Sequence, residues 1–95
     1  MQVIIQGDGI NVRDELKEHI EKEIARLDKY YDRLIQADVV LEGHTHQKEA
    51  RVRLELPRES LFASETSDKF EISIESAVDK LVEQLKRYKE KLRDS

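Results

Sequence analysis

The sequence contains no cysteine, which excludes disulfides, zinc–thiolate sites and thiol catalysis. A small domain that holds together without disulfides suits a reducing cytosol, so a cytoplasmic location is expected. Tryptophan is absent too, and aromatics make up only 5% of the chain: Tyr30, Tyr31, Phe62, Phe70 and Tyr88. With one proline and three glycines, punctuation is sparse and loops should be short. No apolar run approaches the roughly 20 residues of a membrane span. Met1–Gln6 also lacks the basic start of a secretion signal. No membrane partner is expected. Internal repeats and low-complexity segments are missing as well.

What remains is 95 residues, 40% charged and 38% hydrophobic. That is enough for a single domain over 1–95 with one modest core and no deep internal cavity. The net charge of −4 argues against a nucleic-acid ligand when taken alone. Its distribution argues otherwise. From Lys86 to Arg93 five basic residues face one acid, a local charge of +4 that leaves −8 on the rest of the chain. A phosphate-bearing partner responds to the local patch more than to the total.

Hydrophobic periodicity sets out the elements. Gln2–Gln6 reads as a first strand, ended by the turn Gly7-Asp8-Gly9. Asn11 to Arg33 reads as a helix, with Val12, Leu16, Ile20, Ile24, Leu27 and Tyr31 on one stripe. Asn11, or a residue one or two further on, would cap it, with Asp14 completing a capping box. Ala37–Glu42 and Ala50–Leu56 alternate as strands, the latter with Arg51 and Arg53 on its wet face. Pro57 stops that strand. Ser60–Thr66 reads as a fourth, with Leu61 and Ala63 inward. The closing helix carries Ile74, Ala77, Val78, Leu81, Leu85, Tyr88 and Leu92 on one stripe, with Phe70 at its entry. The expected class is α+β, in the order β-α-β-β-β-α: a four-stranded sheet with two helices packed on one face. If adjacent, the first two strands should be parallel. Ile4 and Val40 would stand exposed on the other face.

At 100° per residue, the charges sort into lines. Lys22, Arg26, Lys29 and Arg33 run along one flank of the first helix, with Tyr30 among them. Lys80, Gln84, Arg87 and Lys91 run along one flank of the second helix; Lys86, Lys89 and Arg93 run along the other. Acidic ridges (Asp14, Glu18, Glu21, Asp28 and Asp32; Asp79, Glu83 and Glu90) face outward. Two helices side by side could join such rails into a groove that tracks a phosphate backbone. Tyr30 would either stack on a base or ribose or sit half-buried with its hydroxyl in water. Periodicity alone does not separate these rails from the alternating charges of a solvated helix, worth about 0.2–0.5 kcal/mol per pair.

Other chemistry lacks support. His44-Thr45-His46 would share a face on a strand, with Glu42 or Glu49 as a conceivable third ligand, but reads as polar loop. His19 sits on a helix flank as a structural or solvated residue. No metal site is expected. Gly7-Asp8-Gly9 has too few glycines for a phosphate loop, and Asp14 and Glu15 would repel an anion from the helix that follows. No carboxylate pair sits in an apolar setting and no serine in a nucleophile elbow. No catalytic residue, cofactor or small-molecule substrate is expected, and hence no enzyme.

Longer stretches carry a resemblance. They are Met1-Gln2-Val3 with Gly7; Leu16 to Ile20; Leu27-Asp28-Lys29-Tyr30-Tyr31-Asp32-Arg33; Val39-Val40-Leu41; and Leu61-Phe62-Ala63-Ser64. The most specific is Asp79-Lys80-Leu81 with Gln84-Leu85 and Lys89-Glu90-Lys91-Leu92, which fixes both apolar and basic positions. Over its whole length the chain resembles the ribosome hibernation-promoting factor family, which includes ribosome-associated inhibitor A and was once called sigma-54 modulation protein. The family shares the β-α-β-β-β-α order.

The resemblance implies binding to the small ribosomal subunit in stationary phase or stress, in the channel of messenger and transfer RNA. Translation stops by occlusion. The implied partners are the 30S subunit with its 16S ribosomal RNA, 70S ribosomes and 100S ribosome pairs. An end soon after Leu92 is what the short family members show, and those favour pairing of inactive ribosomes. RNA contacts are expected at Lys22, Arg26, Lys29, Tyr30, Arg33, Lys80, Lys86, Arg87, Lys89, Lys91 and Arg93, as positioning charges rather than base readers. The chain departs from the family at Glu23, where lysine is common. A second reading is a non-enzymatic protein–protein module, for instance in transcription control. It would be recognised through the acidic ridges or the open sheet face with Val40, Arg51 and Arg53.

Overall fold

The computed structural model describes residues 1–94, with side chains through Arg93. Its elements are β1 (Gln2–Asp8), α1 (Asp14–Ala25), a 3₁₀ turn (Arg26–Lys29), β2 (Gln36–Gly43), β3 (Lys48–Glu55), β4 (Ser60–Ser67) and α2 (Phe70–Asp94). The expected order and all four strands are present. The sheet order is β1-β2-β3-β4, with β1 parallel to β2 and the other pairs antiparallel.

Period-two alternation decides the two faces. Ala37, Val39 and Leu41 lie in register with Leu54, Val52 and Ala50, and all six are fully buried. Leu61 and Ala63 continue this face onto β4. Ile20, Ile24 and Leu27 from the first helical segment, and Ile74, Val78, Leu81 and Leu85 from α2, close over it. Each such side chain contributes about 1.5–3 kcal/mol on burial. On the opposite face Ile4 and Val40 are half-buried rather than exposed. Phe62, Arg51 and Arg53 crowd around them, and Phe62 is itself 54% exposed.

The first helix is shorter than its periodicity suggests. It begins after Arg13, whose backbone is extended, and no side chain caps it. Asn11 is not the cap because Ile10 and Val12 are drawn down onto the core. Asp14 and Glu15 complement the helix dipole there instead. At the other end Ala25 gives way to the 3₁₀ turn, closed by Tyr30 N–H donating to the Leu27 carbonyl at 3.0 Å. Tyr31 then packs edge-on against Tyr88, with ring centroids 5.5 Å apart. Tertiary packing overrides the local period, and the chain leaves the helix to reach β2.

Two polar details fix α2. Buried Ser73 donates to the Lys48 carbonyl at 2.7 Å, tying the first turn of α2 to the start of β3. Gln84 Nε2 donates to the Phe62 carbonyl at 2.9 Å on the free edge of β4. An edge carbonyl that would otherwise invite another strand is thereby occupied.

Candidate nucleic-acid interface

Contacts between the helical segments show how they lie. His19 meets Glu75 at 3.0 Å, Arg26 meets Asp79 at 2.9 Å, and Lys86 Nζ lies 5.7 Å from the Tyr30 ring centroid. Residue numbers rise together along both segments, so the helices run side by side in the same direction. α2 then continues past the end of α1 as a projecting, basic end.

Apart from Arg26, the expected residues fall into four places. Lys29 and Tyr30 line a groove of about 570 Å³ with Asp28, Tyr31, Asp32, Lys89, Leu92 and Arg93. Lys86 covers one face of Tyr30 by cation–π contact and lies 3.7 Å from Glu83. On the other side of α2, Arg87 and Lys91 line a cleft of about 330 Å³ with Glu59, Leu61, Gln84 and Tyr88. Lys80, on that same side, pairs with Glu65 of β4. Arg33 lies past the 3₁₀ turn, near Pro57, Arg58 and Tyr88. Lys22 is exposed on α1.

The groove is therefore built from a different flank of α2 than the longest basic line suggested. With strand order β1-β2-β3-β4, α2 packs over β3 and β4. Its Lys80–Gln84–Arg87–Lys91 flank overlooks the β4 edge, and Lys86, Lys89 and Arg93 face the end of α1. Residue spacing defines both flanks but not which neighbour each one meets.

Arg26 is spent within the protein. It donates to Glu23 Oε1 at 2.7 Å and to Asp79 Oδ1 at 2.9 Å. Its hydrogen bond to Glu23, then that to Asp79, raises its pKa above the ordinary arginine value. Glu23 and Asp79 thus hold Arg26 between α1 and α2. Asp79 serves this strut while remaining exposed on the outward ridge. Burial, then the hydrogen bond with Tyr31, pushes the Tyr88 phenol up. Arg58, beside Arg33 in the cleft under the projecting end, is a cation that helix periodicity could not single out.

Among the described residues, one group has metal-ligating side chains in reach of one another: Glu42, His44 and Glu49, at the β2–β3 hairpin. His46 is not in it.

The chain is thus a two-layer β-α-β-β-β-α domain whose second helix ends in a projecting basic stretch. Residues 3–93 match the family described as sigma 54 modulation protein / S30EA ribosomal protein, and the chain belongs to that family. It is 33% identical over 95 residues to the ribosome hibernation promoting factor of Escherichia coli strain K12, covering 98% of each chain. Among solved structures it is similar to the N-terminal domain of Thermus thermophilus Protein Y. There the TM-score is 0.85 at 30% identity, over 93% of this chain and 99% of that one. A ribosomal subunit interface protein from Coxiella burnetii shares the fold, with a TM-score of 0.89 at 24% identity, over 94% of this chain and 98% of that one.

Proposed function

We propose that the chain is a ribosome hibernation factor. It binds the 30S subunit through 16S ribosomal RNA in the channel of messenger and transfer RNA, and silences 70S ribosomes by occupancy without catalysis. Family membership over residues 3–93 carries this reading. The basic end of α2, flanked by Lys29 and Tyr30 on one side and by Arg33 and Arg58 on the other, supplies the surface. Lys29, Lys86, Arg87, Lys89, Lys91 and Arg93 act as phosphate-positioning charges, with Lys22, Arg33 and Lys80 towards the rim. Arg26 contributes by fixing the two helices relative to each other. A cytoplasmic location and the pairing of ribosomes into 100S particles belong to the same reading. No described helix is long and apolar enough to cross a membrane.

The test is sedimentation of the protein with purified 30S subunits and 70S ribosomes at low and high salt. Co-migration at low salt, lost as salt rises, is the expected result. A protein that stays at the top of the gradient with ribosomes in excess overturns the reading. A protein–protein module would then take its place, using the outer sheet face, where Phe62 is 54% exposed beside Arg53. Truncating Phe62 would then abolish partner binding, and neutralising the α2 end would not.

A further inference from the structure

The β2–β3 hairpin holds a set of side chains that the proposed RNA surface does not use. It lies on the outer face of the sheet, away from the helices. Glu42 and Glu49 stand directly opposite in the antiparallel register. Like charges in a cross-strand pair repel, so other groups must hold them. Arg51 Nη1 donates to Glu49 Oε1 at 3.1 Å and to Glu42 Oε1 at 3.3 Å. Ser64 donates to Glu49 Oε2 at 2.9 Å. His44 Nε2 lies 3.0 Å from Glu49 Oε1 and 3.4 Å from Glu42 Oε2. The turn that aims this ring is itself closed, with the His44 backbone N–H donating to the Gln47 carbonyl at 2.7 Å.

We propose that Glu42, His44 and Glu49 bind a divalent transition-metal ion of the zinc class. Nε2 carries at most one proton, which can serve one carboxylate at a time; a divalent ion serves both. Zinc bonds to nitrogen and oxygen of about 2.0–2.2 Å set neighbouring ligand atoms in a tetrahedron about 3.3–3.6 Å apart. The imidazole nitrogen and the two carboxylate oxygens already stand at 3.0 and 3.4 Å, and all three ligand atoms lie within 4.8 Å of one another. Small side-chain shifts suffice to seat the ion. Three protein ligands leave a fourth position to water.

The imidazole is what separates this set from an ordinary acidic cluster. Calcium and magnesium take oxygen ligands, whereas imidazole suits zinc, copper and nickel. Arg51 and Ser64 orient the carboxylates from outside, the role that outer partners play around ligating groups. The side chains of His44, Glu42 and Glu49 are 43%, 29% and 19% exposed, so an ion reaches them from solvent.

The test is a zinc titration of the full chain, followed by calorimetry and by NMR of the histidine ring nitrogens. One equivalent should bind and shift the His44 ring, leaving His19 and His46 unshifted. His44→Ala and Glu49→Gln should each weaken zinc binding at least about tenfold, with unchanged circular dichroism. His46→Ala should bind as the parent does. Calcium or magnesium, as separate probes, should leave the His44 ring unshifted. The assignment is overturned if excess zinc leaves the His44 ring unmoved. It is equally overturned if His44→Ala binds like the parent, or if His46→Ala abolishes binding.

Discussion

Neutralising Lys89 and Arg93 should change how the protein's grip on the ribosome responds to salt. Both side chains are exposed and line the groove beside Lys29 and Tyr30. Each phosphate contact contributes about 0.9 to the slope of log affinity against log salt. Raising salt from about 50 to 200 mM therefore weakens binding by about 3.5-fold per contact. Losing two contacts should make the double variant Lys89→Gln/Arg93→Gln about 12-fold less sensitive over that range, with a slope smaller by about 2. Loss of Arg93 from the last turn of α2 also costs about 0.3–1 kcal/mol of helix-end stability. Thermal unfolding should accordingly be followed in parallel. Lys17→Gln/Lys69→Gln removes the same charge elsewhere and should keep the parental slope. The assay is affinity for purified 30S subunits at four or more salt concentrations. Equal slopes for both double variants would refute the placement of phosphates in this groove.

Three further outcomes follow from the packing. A Cβ at Gly7 would stand 2.4 Å from the Ile10 carbonyl oxygen. Gly7→Ala should therefore displace the Ile10–Val12 segment at a cost of about 1–3 kcal/mol, read as a lowered urea midpoint. The Arg26 and Asp79 side chains are 38% and 65% exposed. A double-mutant cycle to alanine should give a coupling of only about 0.2–1 kcal/mol, and a value near zero would remove the strut. The Tyr88 phenol is raised above its ordinary 10.0, chiefly by burial. Its contribution is complete below that pH and is lost as pH rises through the folded-state value, because the unfolded chain ionises first. Tyr88→Phe should lose less stability than the parent above pH 10.0; parallel curves would argue against burial as the cause.

Much of the fold could be read from side-chain spacing alone. Ala50, Val52 and Leu54 alternate strictly with charges, and the Ile74–Leu85 stripe runs without glycine or proline. Such patterns reflect burial directly. The end of the first helix could not be read this way. Tyr31 keeps the helical period, but its partner Tyr88 lies far along the chain and draws it out of register. The same limit applies to the charged surface. The spacing of Glu23 and Arg26 already allowed an i,i+3 pair, whereas Asp79 became a partner only once the helices were side by side. That Lys89 and Arg93, rather than Arg87 and Lys91, share a groove with Lys29 follows from strand order, which no local pattern encodes. The hairpin cluster needed the register that sets Glu42 opposite Glu49.

The length of α2 has an electrical consequence. Its 25 residues extend about 37 Å, most of the molecule's 45 Å long dimension. The stretch from Lys86 to Arg93, at +4, sits towards one end, and a charge of −7 on residues 1–85 is spread over the body behind it. The molecule is thus a strong electric dipole. Near a polyanion the field turns it tip-first before any atoms touch. Salt with a Debye length of about 10 Å screens the distant acidic body more than the leading end. Tip-first approach to a polyanion is accelerated and approach body-first is repelled. A protein of net charge −4 can in this way be captured quickly by a surface of the same sign.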